Sequence, residues 1–166
     1  RSLRIAKGKL ALLTAIADIS KLWSLEQVTG ALADFAERSL TKSVNGLLDA
    51  AHKRSEITLP HADQPSRDCG IAILGLGKLG GRELHDSGGI EVMIFFQRDK
   101  LNYKGRHNEQ HFMNKLAHDL VYIMQERTAD GYVFRTDLRL RPDPASTPPA
   151  INMEAAYFYY ESVGQN

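Results

Sequence analysis

The sequence predicts an α+β domain that begins with a helical extension. Apolar residues recur at helical spacing through the first third of the 166 residues. Two short apolar runs typical of buried strands follow, and an amphipathic helix separates them from a segment in which residues alternate. Helices first and a mixed sheet afterwards are typical of an α+β domain rather than of repeated βαβ units.

Composition narrows the class of protein. Apolar residues make up 43% and charged residues 25%, which is typical of a globular domain. A net charge of +1 gives no bulk attraction to nucleic acid or to a membrane, so we expect neither as a partner. Cys69 is the single cysteine and fits a reducing compartment, and no apolar run approaches the roughly 20 residues of a membrane span. We therefore expect a cytoplasmic protein.

The N-terminal helices are predicted from periodicity and capping. Residues 3–19 carry an apolar stripe at helical spacing. Ser24 and Gln27 have the spacing of a capping box, and a second stripe runs through residues 28–48. Residues 1–57 are therefore predicted to be a helical extension. Because the sequence starts without Met and ends inside a predicted helix, we expect a fragment of a longer chain.

The pattern changes after a polar, proline-bearing connector at residues 58–69. "GIAILGLG" and "IEVMIFF" are short apolar runs and are predicted to be buried strands. Residues 108–128 have one apolar side and are predicted to be a helix. We place the core of the domain at residues 70–150.

A third strand is predicted over "GYVFRTDLRL", opened by Gly131. Strand alternation would place Val133, Arg135, Asp137 and Arg139 on one face. The following "RPDPASTPP" must be a loop, and Asn152 is the expected cap of a helix that opens the segment 151–166.

The stretch "GLGKLGG" is a candidate phosphate turn. Glycines after a strand let backbone N–H groups approach an anion, and Lys78 adds a positive charge. Gly75, Gly77 and Gly80 also fit the G-x-G-x-x-G string, but no acidic residue ends a second strand at the distance that a dinucleotide fold requires. A tight turn that needs positive φ is the alternative.

The second strand could carry part of a metal site. Carboxylates at positions i and i+2 of a strand point to the same side, roughly 6–7 Å apart, and a third from a neighbouring strand completes a two-metal site. Here position i is Gly89 and position i+2 is Glu91. Asp137 could supply the outer carboxylate, and its alternative is an ion pair with Arg135 or Arg139.

Arginines alternate beside Asp137 in "FRTDLRLRP". Arg135, Arg139 and Arg141 would share a strand face with the carboxylate, and bidentate phosphate recognition is a natural use for them. The alternative is a solvated edge strand whose charges oppose edge-to-edge pairing.

Three blocks together resemble one family: "ILGLGKLGGREL", "SGGIEVMIFF" and "GYVFRTDLRLRPDP". They resemble the bifunctional glutamine synthetase adenylyltransferase/adenylyl-removing enzyme, within the DNA polymerase beta-like nucleotidyltransferases. The family pattern reads like G-K-L-G-G-x-E-L-x-x-S-S-D-I-D-L and, later, R-V-D-x-R-L-R-P. The resemblance covers nearly the whole chain and implies a nucleotidyltransferase-type mixed sheet with flanking helices.

The resemblance also implies an activity. One half of such enzymes attaches AMP from ATP to a tyrosine of glutamine synthetase, and the other removes it by phosphorolysis, giving ADP, so that nitrogen assimilation is regulated. Arg135 before Asp137, and the segment "LWSLEQVT", favour the adenylyl-removing half over the transferring half. A catalytically silent domain that binds nucleotide or a partner is the other alternative. The implied partners are glutamine synthetase, a PII-type signal protein through the full-length enzyme, ATP or ADP, and phosphate.

The family pattern implies a role for each site residue. Glu91 and Asp137 would be catalytic ligands of Mg²⁺ in a two-metal site. The nucleotide and phosphate groups would be bound by Gly77, Lys78, Ser87, Gly88, Arg135, Arg139 and Arg141.

The sequence also departs from that pattern. Gly88 replaces the second serine, Gly89 replaces the first aspartate, and His85-Asp86 replaces Asn-Tyr. A glycine has no side chain with which to bind a metal, so we expect the metal site and the turnover to be impaired.

Overall fold

The computed structural model describes residues 1–162, and residues 163–166 of the predicted closing segment lie outside this range. The elements in chain order are α1 (Ser2–Ile19), α2 (Leu25–Lys53), β1 (Ile71–Leu76), α3 (Gly77–Gly80), β2 (Ile90–Phe96), α4 (Glu109–Gln125), β3 (Thr136–Asp137), β4 (Ala150–Asn152) and α5 (Met153–Ser162). Helices and a small mixed sheet form the structure, so the predicted α+β class is confirmed.

Strand β2 is the centre of the sheet. Its residues 91–96 pair antiparallel with β1, and β3 and β4 pair parallel to it on the opposite side. Strand β3 contacts the start of β2 and β4 contacts its end. Every residue of β2 except Glu91 is buried, as expected for an apolar strand covered on both faces. The prediction that "GIAILGLG" is buried is wrong: no residue of β1 is buried, because β1 lies at the edge of the sheet.

Helix α2 packs into the same core as the sheet. The capping box of Ser24 and Gln27 is present, as predicted. Leu32, Leu40 and Leu48 are buried in one cluster that also contains residues of β2 and α4. The division of the chain at residues 57 and 70 stays a prediction, and the helical extension and the sheet share this core.

Helix α1 forms where predicted, but most of its apolar stripe faces solvent. Leu12, Leu13 and Ile16 are more than half exposed, and Ile19 is 82% exposed. Lys7 is instead buried, with its ammonium bound to Asp86 and lying over an aromatic ring. A satisfied ion pair and the aliphatic stem of Lys7 therefore occupy the inner face that the pattern leaves to apolar residues.

The prediction of a ten-residue third strand is wrong, because β3 contains only Thr136 and Asp137. The N–H groups of Val133 and Phe134 both donate to the carbonyl of Met124, and both side chains are buried. Two consecutive buried residues break the strand alternation. Beyond β3, the backbone N–H of Arg139 donates to the Asp137 carboxylate, which turns the chain away from the sheet.

Strand β4 was not predicted, because three residues after a proline-bearing loop are too few for a periodic signal. Asn152 ends this strand and, as predicted, caps the helix that follows, with its side-chain oxygen accepting from the N–H of Glu154 at 2.8 Å. Within residues 1–162, no helix is long and apolar enough to cross a membrane.

Candidate nucleotide and phosphate site

A cleft of about 830 Å³ lies at the end of the sheet where β1 stops and β2 starts. Most of the predicted site residues line it: Gly77, Lys78, Ser87, Gly88, Gly89, Glu91, Arg135, Asp137 and Arg139. We call the side formed by residues 77–88 together with Arg135 the turn wall, and the side formed by residues 89–91 and 136–139 the strand wall.

Gly77 joins the two walls. Its φ is +52°, a conformation that favours glycine. A Cβ at this position would overlap the carboxylate of Glu91. The backbone conformation therefore favours glycine, and any larger residue would also have to displace the Glu91 carboxylate.

Polar contacts organise the turn wall. Lys78 Nζ donates to His85 Nε2 at 2.8 Å, and His85 Nδ1 lies 3.2 Å from Ser87 Oγ. Because an ammonium can only donate, Nε2 of His85 accepts, and a neutral ring then carries its proton on Nδ1, which donates to Ser87. Arg135 Nη2 donates to the backbone carbonyl of Ser87 at 3.1 Å. Both acceptors are uncharged, so neither of these contacts compensates the positive charge of Lys78 or Arg135.

The carboxylates of the strand wall lie on adjacent strands in register. Glu91 pairs with Asp137 across the parallel β2–β3 ladder and with Leu76 across the antiparallel β1–β2 ladder. Residues in register on neighbouring strands lie about 5 Å apart. The structure therefore brings together the two acidic residues that the sequence singled out.

Asp137 is bound by Arg139. The Nε of Arg139 lies 3.0 and 2.9 Å from the two carboxylate oxygens, and its Nη2 lies 2.7 Å from Oδ2. The Arg139 side chain holds the pKa of Asp137 below its usual value, and the backbone N–H of Arg139 acts in the same direction. The ion pair that the sequence left open as an alternative for Asp137 is present.

A sequence model of the glutamate-ammonia ligase adenylyltransferase family matches residues 1–166, the whole chain. The chain belongs to this family. The resemblance inferred from the three sequence blocks is thereby confirmed.

Curated relatives of the family agree with this assignment. The bifunctional glutamine synthetase adenylyltransferase/adenylyl-removing enzymes of Rhizobium meliloti and Caulobacter vibrioides are each 45% identical to the chain, over 164 and 166 residues. The enzyme of the same name from Bradyrhizobium diazoefficiens is 41% identical over 165 residues. These alignments cover 99–100% of the chain but only 17% of each relative.

Divalent metal ions are general cofactors of nucleotidyltransferases, and the donors of this family member do not fit a two-metal site. Gly89 offers no side chain, and both oxygens of Asp137 are bound by Arg139. The nearby carboxylate of Asp86 is held 2.9 Å from Lys7 Nζ on the side of α1. Within residues 1–162, no three His, Cys, Asp or Glu side chains are arranged to hold a metal ion.

One predicted residue lies outside the cleft, and one residue in it was not predicted as a ligand. The guanidinium of Arg141 donates to the carbonyls of Thr147, Leu138 and Pro144, and so it braces its own loop. His85 links Lys78 to Ser87. The sequence signal for His85 was its departure from the family pattern at that position.

Proposed function

We propose that the chain is a nucleotidyltransferase domain of the adenylyl-removing type, acting on adenylylated glutamine synthetase. The observation that carries this proposal is the cleft in which Lys78, Arg135 and Arg139 face the carboxylates of Glu91 and Asp137. Cations that converge on one cleft suit phosphoryl and nucleotidyl groups, whose transfer depends on positioning and charge neutralisation. Membership in a family whose relatives are named for this chemistry supports it.

The proposed reaction is phosphorolysis of the ester between AMP and a tyrosine. An oxygen of inorganic phosphate attacks the α-phosphorus, and the bond from that phosphorus to the tyrosine oxygen breaks. The phosphate proton ends on the tyrosine hydroxyl, and ADP is the second product. Lys78 and Arg135 on either side of Ser87 are placed to neutralise the phosphate oxygens.

We assign the reaction to residues 70–150, a supporting role to the helical extension at 1–57, and the start of a further helical segment to 151–166. The proposed partners are glutamine synthetase, ATP or ADP and phosphate, with a PII-type signal protein acting through the longer enzyme. We expect this to occur in the cytoplasm, where the buried Cys69 stays reduced; burial raises the pKa of its thiol.

The turnover rate that we expect depends on the residue at position 89, which is glycine. The family pattern implies a further carboxylate ligand of Mg²⁺ at this position, and without it we expect slow turnover. An added Cβ at position 89 would lie 3.3 Å from the backbone carbonyl oxygen of Arg135, so an aspartate there requires this backbone to move by a few tenths of an ångström. Gly89→Asn carries the same steric demand and therefore separates the effect of shape from that of charge.

The test is release of ADP from adenylylated glutamine synthetase in the presence of phosphate and Mg²⁺. The unaltered chain should release ADP slowly, and Gly89→Asp should release it faster. Gly89→Asn has the same shape without the charge and should not accelerate it.

A second arm supplies ATP and unmodified glutamine synthetase and follows pyrophosphate. Pyrophosphate in this arm without ADP in the first would assign the chain to the adenylyl-transferring half. No product in either arm from the chain and from Gly89→Asp would overturn the proposal of a catalytic domain.

A further inference from the structure

The charges that line the cleft are unevenly compensated. Three side chains are cationic, those of Lys78, Arg135 and Arg139, and two are carboxylates, those of Glu91 and Asp137. Arg139 and Asp137 neutralise each other in a bidentate contact. On the turn wall, Lys78 and Arg135 donate to the His85 ring and the Ser87 carbonyl, which carry no charge to cancel theirs.

We propose that this cleft binds the phosphate chain of a nucleoside di- or triphosphate without a divalent metal ion. Lys78 and Arg135 supply the attraction, and Arg139 occupies the place at Asp137 that a metal ion would need. The choice of a nucleotide as the ligand rests on the proposed function, whereas independence from metal rests on the charges of the cleft alone.

Glycine at position 89 is what makes metal unnecessary. With glycine, the cations of the cleft outnumber its carboxylates, so a phosphate chain meets a net positive field. An aspartate here would bring the two signs into balance, and its carboxylate would repel the phosphate oxygens across a few ångströms. A divalent ion would then be needed between them. The residue at position 89 therefore determines whether the cleft binds a phosphate chain directly, with glycine, or through a divalent metal ion, with aspartate.

The geometry around position 89 supports this switch. The N–H of Ile90 donates to the carbonyl of Arg135 at 2.8 Å, and the Cα of Gly89 faces the same carbonyl. A side chain at 89 would thus begin beside the backbone of Arg135, which is one of the two cationic residues with uncancelled charge. A carboxylate there would act directly on the cation that attracts the ligand.

The experiment measures ADP binding to the 166-residue chain by calorimetry, once with a chelator and once with excess Mg²⁺. We expect the two dissociation constants of the unaltered chain to agree within about threefold. Gly89→Asp should bind ADP at least about tenfold more tightly with Mg²⁺ than with chelator. Gly89→Asn, which has the shape of aspartate but no charge, should behave like the unaltered chain.

Further variants test which cations bind the ligand. Arg135→Met should weaken ADP binding in chelator by about tenfold, because a charge-assisted contact is lost. Arg106→Met removes a charge from an exposed loop outside the cleft and should leave binding unchanged. Adenosine, which has no phosphate, should bind much more weakly than ADP. Thermal unfolding of each variant establishes that it is folded before binding is compared.

Two results would overturn the inference: tightening of ADP binding by Mg²⁺ of about tenfold or more in the unaltered chain, or no ADP binding in chelator. These results are separate from those of the ADP-release assay. Metal-independent binding with no turnover in Gly89→Asp would support the inference and contradict the proposed catalytic function. Turnover that requires Mg²⁺ at the binding step would do the reverse.

Discussion

The two walls of the cleft hold their charged groups in opposite ways. On the turn wall, Lys78 and Arg135 donate to neutral acceptors and keep their positive charge. On the strand wall, Arg139 neutralises Asp137, and Gly89 has no side chain. The cations of the turn wall are therefore not neutralised by their hydrogen-bond partners, whereas the strand wall presents few side chains that could bind a metal ion.

The largest expected effect comes from Gly77, where the walls meet. Gly77→Ala should lower the free energy of unfolding by about 2 kcal/mol, because a non-glycine residue at positive φ costs 1–2 kcal/mol and its Cβ would displace the Glu91 carboxylate. Urea denaturation measures the change. Gly81→Ala, in the same turn but at negative φ, should change stability by less than about 1 kcal/mol. If the two variants lost equal stability, the position of the Glu91 carboxylate would not depend on a glycine at position 77.

A smaller loss of stability is expected when the contact between Lys7 of α1 and Asp86 of the turn wall is removed. Lys7→Met should lower stability by about 1 kcal/mol, because the contact of Lys7 with Asp86 is half in solvent. The amide hydrogens around Gly88 should also exchange faster. Lys115→Met breaks an exposed pair with Asp119 on α4 and should cost less than about 0.5 kcal/mol, without changing exchange in the turn. Unchanged exchange in Lys7→Met would mean that the turn wall holds its shape alone.

The smallest effect concerns the pKa of Asp137. Arg139→Met should raise this pKa towards its usual value, because the guanidinium that favours the ionised form is removed. Since the folded-state pKa lies below the unfolded one, any stability from this pair is present above the unfolded pKa and is lost as the pH falls through the folded pKa. Carboxyl NMR titration measures the shift. Arg135→Met, which removes a guanidinium bound to the Ser87 carbonyl instead, should move the pKa less.

Local signals predicted most of the fold. The side chain of Ser24 caps α2, and the apolar runs of β1 and β2 form strands as predicted, although only β2 is buried. Strand β3 was overestimated because burial of Val133 and Phe134 depends on the distant Met124 carbonyl, which periodicity cannot show. The inner face of α1 was not predictable either, because it is set by a contact of Lys7 that spans 79 positions in the chain.

A sequence motif predicted which residues line the candidate site. It could not predict which partner each charged side chain binds. The glycine turn, Glu91 and Asp137 lie together because the strand register places them there. The sequence could not decide whether Asp137 binds an arginine or a metal ion, since both depend on side-chain conformation. Arg141 matched the family motif, yet its Nε, Nη1 and Nη2 each donate to a backbone carbonyl of its own proline-bearing loop.

The contact between Lys7 and Asp86 has a mechanical consequence. The ammonium of Lys7 binds both the carboxylate and the backbone carbonyl of Asp86, one residue before Ser87. One face of helix α1 is apolar and exposed to solvent, and its opposite face is bound through Lys7 to the edge of the cleft. If α1 rotated, the contact with Lys7 would displace Asp86 and the adjoining Ser87. The Ser87 carbonyl would in turn displace the guanidinium of Arg135, which donates to it. A rotation of α1 would thus change the distance between the Arg135 guanidinium and the Lys78 ammonium.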